Sequence, residues 1–131
     1  MTNLSTSIAP KIVLVVEDSP TEAENICAVL TETGLHVVWA VNGLDGLQKV
    51  QEIHPDLIVM DVNMPGMNGF EVVQVLKHDP QYTTIPIVML TTNDAPEALM
   101  TGLDSGVIDY IPKDVFAMRV LVETIRQIGL I

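Results

Sequence analysis

A single cysteine, Cys27, in 131 residues leaves no partner for an internal disulfide and no set of thiolates for a metal ion. It falls among apolar helix positions, where a thiol packs as a small hydrophobe. Basic side chains are also scarce: 6 Lys and Arg stand against 17 Asp and Glu, a formal net charge of -11. Such a chain repels phosphate backbones and anionic lipid surfaces, so neither nucleic acid nor membrane is an expected partner. Long apolar runs are missing as well. Stretches such as Ile12 to Val16 and Leu57 to Met60 fall far short of the roughly 20 residues that span a bilayer. Met1 to Pro10 hold neither a cationic cluster nor a long apolar stretch, which excludes a secretory signal. A flexible polar leader over 1–10, one domain over 11–131 and a cytoplasmic location are expected. His36, His54 and His78 lack metal-ligand spacing and read as incidental. No glycine-rich GxxxxGK[ST] loop is present to cradle a nucleotide.

Apolar residues make up 48% of the chain, a globular composition sufficient for one core. Five short apolar stretches read as strands: Ile12 to Val16, His36 to Val41, Leu57 to Met60, Ile85 to Leu90 and Val107 to Ile111. Three are continuously apolar, as a parallel strand covered on both faces requires. Helical spacing lies between them. Ala23, Ile26, Cys27 and Leu30 share one face behind Ser19, Pro20 and Glu22, which spell a capping box. Asn68 with Glu71, and Asp94 with Pro96 and Glu97, open two further helices, while Gly34 and Gly129 suit helix ends. Leu44, Leu47 and Val50 mark the second helix; Leu121, Val122, Ile125 and Ile128 mark the fifth. Strand and helix alternating in this way predict a doubly wound α/β domain with a five-stranded parallel sheet and five helices, whose sites lie at the carboxyl ends of the strands.

Glu17 and Asp18 follow the first strand, Asp61 the third, Thr91 and Thr92 the fourth, and Lys113 comes soon after the fifth. Any one of these carboxylates could be a plain helix cap, but three converging on one rim are another matter. Two carboxylates ~4 Å apart repel by about 4 kcal/mol at an effective dielectric near 20. A hard divalent cation offsets that cost. Mg²⁺ takes oxygen ligands and retains waters, so Asp18 and Asp61 fit as direct ligands and Glu17 as one that reaches the ion through water. Lys113 offers a cationic point charge and Thr91 a hydroxyl, both suited to phosphoryl oxygens. The chemistry these groups support together is phosphoryl transfer. Trp39 and the methionines Met60, Met64, Met67, Met89, Met100 and Met118 read as packing residues.

VVEDSP, VMDVNMPGMNGFE, MLTT and DYIPKD, in this order and spacing over residues 12–129, resemble the receiver domain of two-component response regulators. The resemblance implies the flavodoxin-like strand order 2-1-3-4-5 and a sensor histidine kinase or phosphotransfer protein that donates from a phosphohistidine. It implies Asp61 as phosphoacceptor, with Asp18 and the Asn63 backbone carbonyl joining it around Mg²⁺. Glu17 stands at the second acidic position, often Asp in relatives. Thr91 becomes the switching hydroxyl, Lys113 the phosphoryl-binding cation and Tyr110 the aromatic that reports the state. Such a domain is not an enzyme acting on a separate substrate; it assists its own phosphorylation and dephosphorylation, and presents the surface of its fourth helix, fifth strand and fifth helix to a downstream protein. With no output domain attached, it would bind another protein or relay the phosphoryl group onward.

This chain departs from the family in having Pro112 before Lys113 and Asp114 after it, where relatives usually place Pro, often with a cis bond. A cis Lys113–Asp114 bond would cost ~3 kcal/mol. A rival reading is a metal-dependent phosphatase forming an aspartyl-phosphate, but such enzymes usually carry a second acid where Asn63 stands, and often a cap domain. A receiver retained only as a binding module would not need the complete acidic set.

Overall fold

The computed structural model describes residues 9–92 and 107–131. Its centre is a parallel sheet of β1 (Ile12–Val16), β2 (His36–Ala40), β3 (Leu57–Asp61), β4 (Ile87–Thr91) and β5 (Asp109–Pro112), in the order β2-β1-β3-β4-β5. The strand order is the one expected. Described around it are α1 (Pro20–Glu32), α2 (Gly43–Ile53), α3 (Gly69–Lys77) and a C-terminal helix, Ala117–Gln127. Residues 1–8 of the expected leader over 1–10 and the helix expected to open at Asp94 lie outside the described residues, so four of the five expected helices are described here.

Side chains alternate between the two faces of each strand, and this divides the core in two. Leu14, Val16, Ile58, Met60 and Met89 face α2 and α3, where Val50, Val72, Val73 and Leu76 cover them. Val13, Val15, Leu57, Val59, Leu90 and Ile111 face α1 and the C-terminal helix, which contribute Ile26, Leu30, Leu121 and Ile125. Every residue of β3 and β4 is buried. Each large aliphatic side chain so enclosed contributes roughly 1.5–3 kcal/mol.

Several local expectations need correcting. Strand four begins at Ile87 rather than Ile85, since Pro86 has no amide to donate and the Ile85 carbonyl accepts from the Lys77 ammonium at 2.9 Å. Strand five runs Asp109–Pro112; its proline is tolerated at the sheet edge. Leu44 is 69% exposed, because α2 meets the sheet through Gly46, which lies against Val16, and Val50, while Gly43 lies against Val72 of α3 and Met67. Ile128 caps the C-terminal helix and is exposed rather than extending its apolar face. Cys27 is half-buried against the α1 side of the core. The capping box at Asn68 and Glu71 is complete. At Ser19 only half forms: the Ser19 hydroxyl accepts from the Glu22 amide at 3.4 Å, and the Glu22 carboxylate turns elsewhere.

Gly69 begins α3 directly behind the end of β3. A Cβ added there would lie 2.5 Å from the Asp61 carbonyl oxygen and 2.7 Å from Met89 Cε. The backbone of Asp61 cannot yield without moving its carboxylate. Gly69→Ala is expected to lower stability by about 1–3 kcal/mol in urea unfolding, as overpacking does. A loss within experimental error would show that α3 can shift away from the strand end.

Candidate functional site

The connection after β1 passes over one face of the sheet and the connection into β3 over the other, so a crevice opens between the carboxyl ends of these neighbouring strands. Glu17 and Asp18 leave β1 on one side of it, and Asp61 ends β3 on the other. One carboxylate oxygen from each lies within 4.8 Å of the others. Glu17 is 1% and Asp61 3% exposed, and Asp18 is more accessible than either. Glu17 is fixed on several sides. Its amide donates to the Ala40 carbonyl at 3.0 Å, its Oε2 accepts from the Ser19 amide at 3.1 Å, and its carbonyl accepts from the Trp39 indole at 2.7 Å. Trp39, expected only to pack, thus also anchors the acidic turn.

Lys113 reaches this crevice from the end of β5. Its amide donates to the Thr91 carbonyl at 2.7 Å, and its Nζ stands 3.0 Å from Asp61 Oδ1, 2.9 Å from Glu22 Oε1 and 3.4 Å from Glu17 Oε1. Burial alone would lower the Lys113 pKa, but its hydrogen bonding to the Glu22 and Asp61 carboxylates and the charges of Asp61 and Glu17 raise it well above the ordinary lysine value. Burial pushes the Glu17 carboxyl up to about 7; the Asp61 charge adds to this, while the Ser19 amide and Lys113 oppose it. One ammonium therefore serves three acids besides the nearby Asp18. The donors are all oxygen and their charge exceeds that of the lysine, which suits a hard divalent cation.

Asp61 Oδ1 also accepts from the backbone amide of Asn63 at 3.2 Å. The Asn63 side chain donates to the Thr92 hydroxyl at 3.2 Å. Thr91 is 2% exposed, and its hydroxyl donates to the Thr92 carbonyl at 3.1 Å. The Tyr110 ring stands half-buried, 6.2 Å from the ring of Phe70. Among the described residues every peptide bond is trans, Lys113–Asp114 included.

Asp18, Asp61, Glu17, Lys113 and Thr91 are thus brought to one rim, while Tyr110, which pairs with Met89, lies two residues before Pro112, which pairs with Thr91. Glu22 and Trp39 were not foreseen. A glutamate in the first turn of α1 does face the same rim, but its sequence pattern pointed to the helix cap instead.

A family model of the response regulator receiver domain matches residues 13–126. Protein PilH of Pseudomonas aeruginosa is 38% identical over 103 residues, covering 79% of this chain and 85% of PilH. The DNA-binding response regulator MtrA of Mycolicibacterium smegmatis is 39% identical over 114 residues, and here the chain spans only 48% of the relative. Among solved structures, the chemotaxis protein CheY4 of Vibrio cholerae superposes with a TM-score of 0.83 at 35% identity, covering 91% of this chain and 98% of CheY4. A putative response regulator from Chloroflexus aurantiacus gives 0.85 at 32% identity, covering 92% and 98%. With the sheet order and the acidic crevice already in place, these matches establish that the chain belongs to the response regulator receiver domain family.

Proposed function

We propose that the chain is the phosphoacceptor of a two-component system, with Asp61 receiving the phosphoryl group. The observation that carries this reading is the seat of Asp61: a buried carboxylate at a strand end, 3.0 Å from the Lys113 ammonium and grouped with Glu17 and Asp18. In the step proposed, an Asp61 carboxylate oxygen attacks phosphorus and forms the O–P bond. The P–N bond to a donor phosphohistidine breaks, and its electron pair stays on the imidazole nitrogen. Lys113 faces the phosphoryl oxygens, and the Thr91 hydroxyl turns from the Thr92 carbonyl to donate to one of them. Asp18, Asp61 and the Asn63 backbone carbonyl would hold Mg²⁺, with Glu17 reaching it through a water, and the ion would neutralise charge on the transferring group. The remaining work is orientation and charge stabilisation, which needs no separate base.

A sensor histidine kinase or phosphotransfer protein as donor, and a cytoplasmic setting, belong to the same reading. Among the described residues no helix is long and apolar enough to cross a membrane. Asp61→Asn should gain no labile phosphoryl group when incubated with Mg²⁺ and a small phosphodonor, as followed by intact mass. Gain at the wild-type rate would move the acceptor elsewhere.

Phosphorylation adds nearly two negative charges and three acceptor oxygens, which draws Thr91 toward Asp61. Space is vacated beside β5, where Tyr110 sits, and the surface around β5 and the C-terminal helix repacks for a partner. Beryllofluoride bound at Asp61 is expected to shift amide resonances of residues 107–128 in wild type. Thr91→Ala should bind the mimic yet lose most of the distant shifts. Equal responses would remove Thr91 from the coupling.

A further inference from the structure

An ammonium has three N–H bonds to give. In Lys113 three carboxylates compete for them: Glu22 at 2.9 Å and Glu17 at 3.4 Å accept hydrogen bonds, and Asp61 forms an ion pair at 3.0 Å. The three partners differ in their freedom to leave. The side chains of Glu17 and Asp61 are 1% and 3% exposed, whereas that of Glu22 is 48% exposed. Glu22 occupies the same helix position as Glu71, whose carboxylate turns back to the amide of its own cap residue, Asn68, at 3.0 Å. That local alternative is closed to Glu22, because the Ser19 amide is already given to Glu17 Oε2 at 3.1 Å. The Glu22 side chain instead spans 91 positions of sequence to reach Lys113.

We propose that Glu22 is a positioning residue that acts through Lys113, holding the ammonium in the crevice until phosphoryl oxygens displace it. The proposal rests on Asp61 being the phosphoacceptor. A phosphoryl oxygen arriving at Asp61 finds the Lys113 ammonium already shared among three carboxylates, two of them hydrogen-bonded to it, so one of these contacts has to loosen. Asp61 itself bears the group, and Glu17 is buried and fixed by the Ser19 amide. Glu22 can swing into water, where its charge is solvated. Its presence opposes the phosphoryl group twice, through the ion pair to be broken and through a negative charge facing an anion. When the phosphoryl group departs, the same side chain recaptures the ammonium. Glu22 thus sets how strongly this site holds a phosphoryl group, without touching that group.

The measurement is beryllofluoride affinity of the full chain with saturating Mg²⁺, read from amide resonances, beside the thermal midpoint of each protein without the mimic. Glu22→Gln and Glu22→Ala are expected to bind beryllofluoride about 2- to 5-fold tighter than wild type, the range of one partly exposed ion pair. Their thermal midpoints should be unchanged or lower. A merely structural contact would weaken binding along with stability, so tighter binding in a protein no more stable identifies the positioning role. Glu24→Gln removes an exposed acid from the same helix and should leave the affinity unchanged. Equal or weaker binding by both Glu22 variants overturns the proposal, as does equal tightening by Glu24→Gln, which would trace the effect to net charge. If wild type itself binds no beryllofluoride, it is the phosphoacceptor reading beneath the proposal that fails.

Discussion

A surplus of negative charge held against one ammonium is the constraint on which the carboxyl rim of this domain depends. Glu17 and Asp61 are taken out of water at the ends of two adjacent strands, with Asp18 beside them and Glu22 leaning in from α1. Lys113 is the cation in contact with this group among the described residues, and it links the ends of β1, β3 and β5 by its ion pairs as well as β4 by its backbone. The raised pKa of Glu17 expresses the same imbalance, since burial beside other acids favours its neutral form. A rim under such electrostatic tension responds strongly to a divalent cation or to a phosphoryl group, because either one changes the largest local charges.

The fold makes that tension tolerable. Parallel strands covered on both faces send their apolar side chains into two separate cores, so the strand ends are rigid enough to hold like charges at short range. The turn into α3 contributes by bringing Gly69 against the Asp61 backbone, and Trp39 contributes from the sheet edge by holding the Glu17 carbonyl. Function then lies in loops and strand ends placed by a scaffold that takes no part in the chemistry.

Much of this was legible in the sequence because parallel sheets place polar strand-end residues on one rim. Asp18, Asp61, Lys113 and Thr91 could be brought together from their positions alone, and the order of elements carried the topology with them. What escaped were choices made by tertiary contacts. In the sequence Glu22 had two partners open to it, the cap of its own helix and Lys113, and only the folded chain, where Glu17 takes the Ser19 amide, decides between them. In α2, Leu47 and Val50 do face the core but Leu44 does not, because the close approaches of this helix run through Gly43 to α3 and Gly46 to Val16, and glycines leave no apolar periodicity to detect. Trp39 was placed in the right strand, but its indole hydrogen bond depends on the Glu17 carbonyl in the turn after β1. Strand limits moved by one or two residues where Pro86 and Lys77 redirect the backbone pairing.

The charge constraint makes a sign-specific demand on stability. Removing one of the clustered carboxylates relieves repulsion, and a divalent cation relieves it in the intact protein by binding the folded state alone. Thermal unfolding of wild type and Asp18→Asn, each with chelator and with increasing Mg²⁺, tests this most directly. Without metal the variant should melt above wild type. Mg²⁺ should raise the wild-type midpoint progressively and leave the variant nearly unmoved. A variant that melts below wild type without metal, together with a wild-type midpoint that Mg²⁺ does not change, would contradict the account.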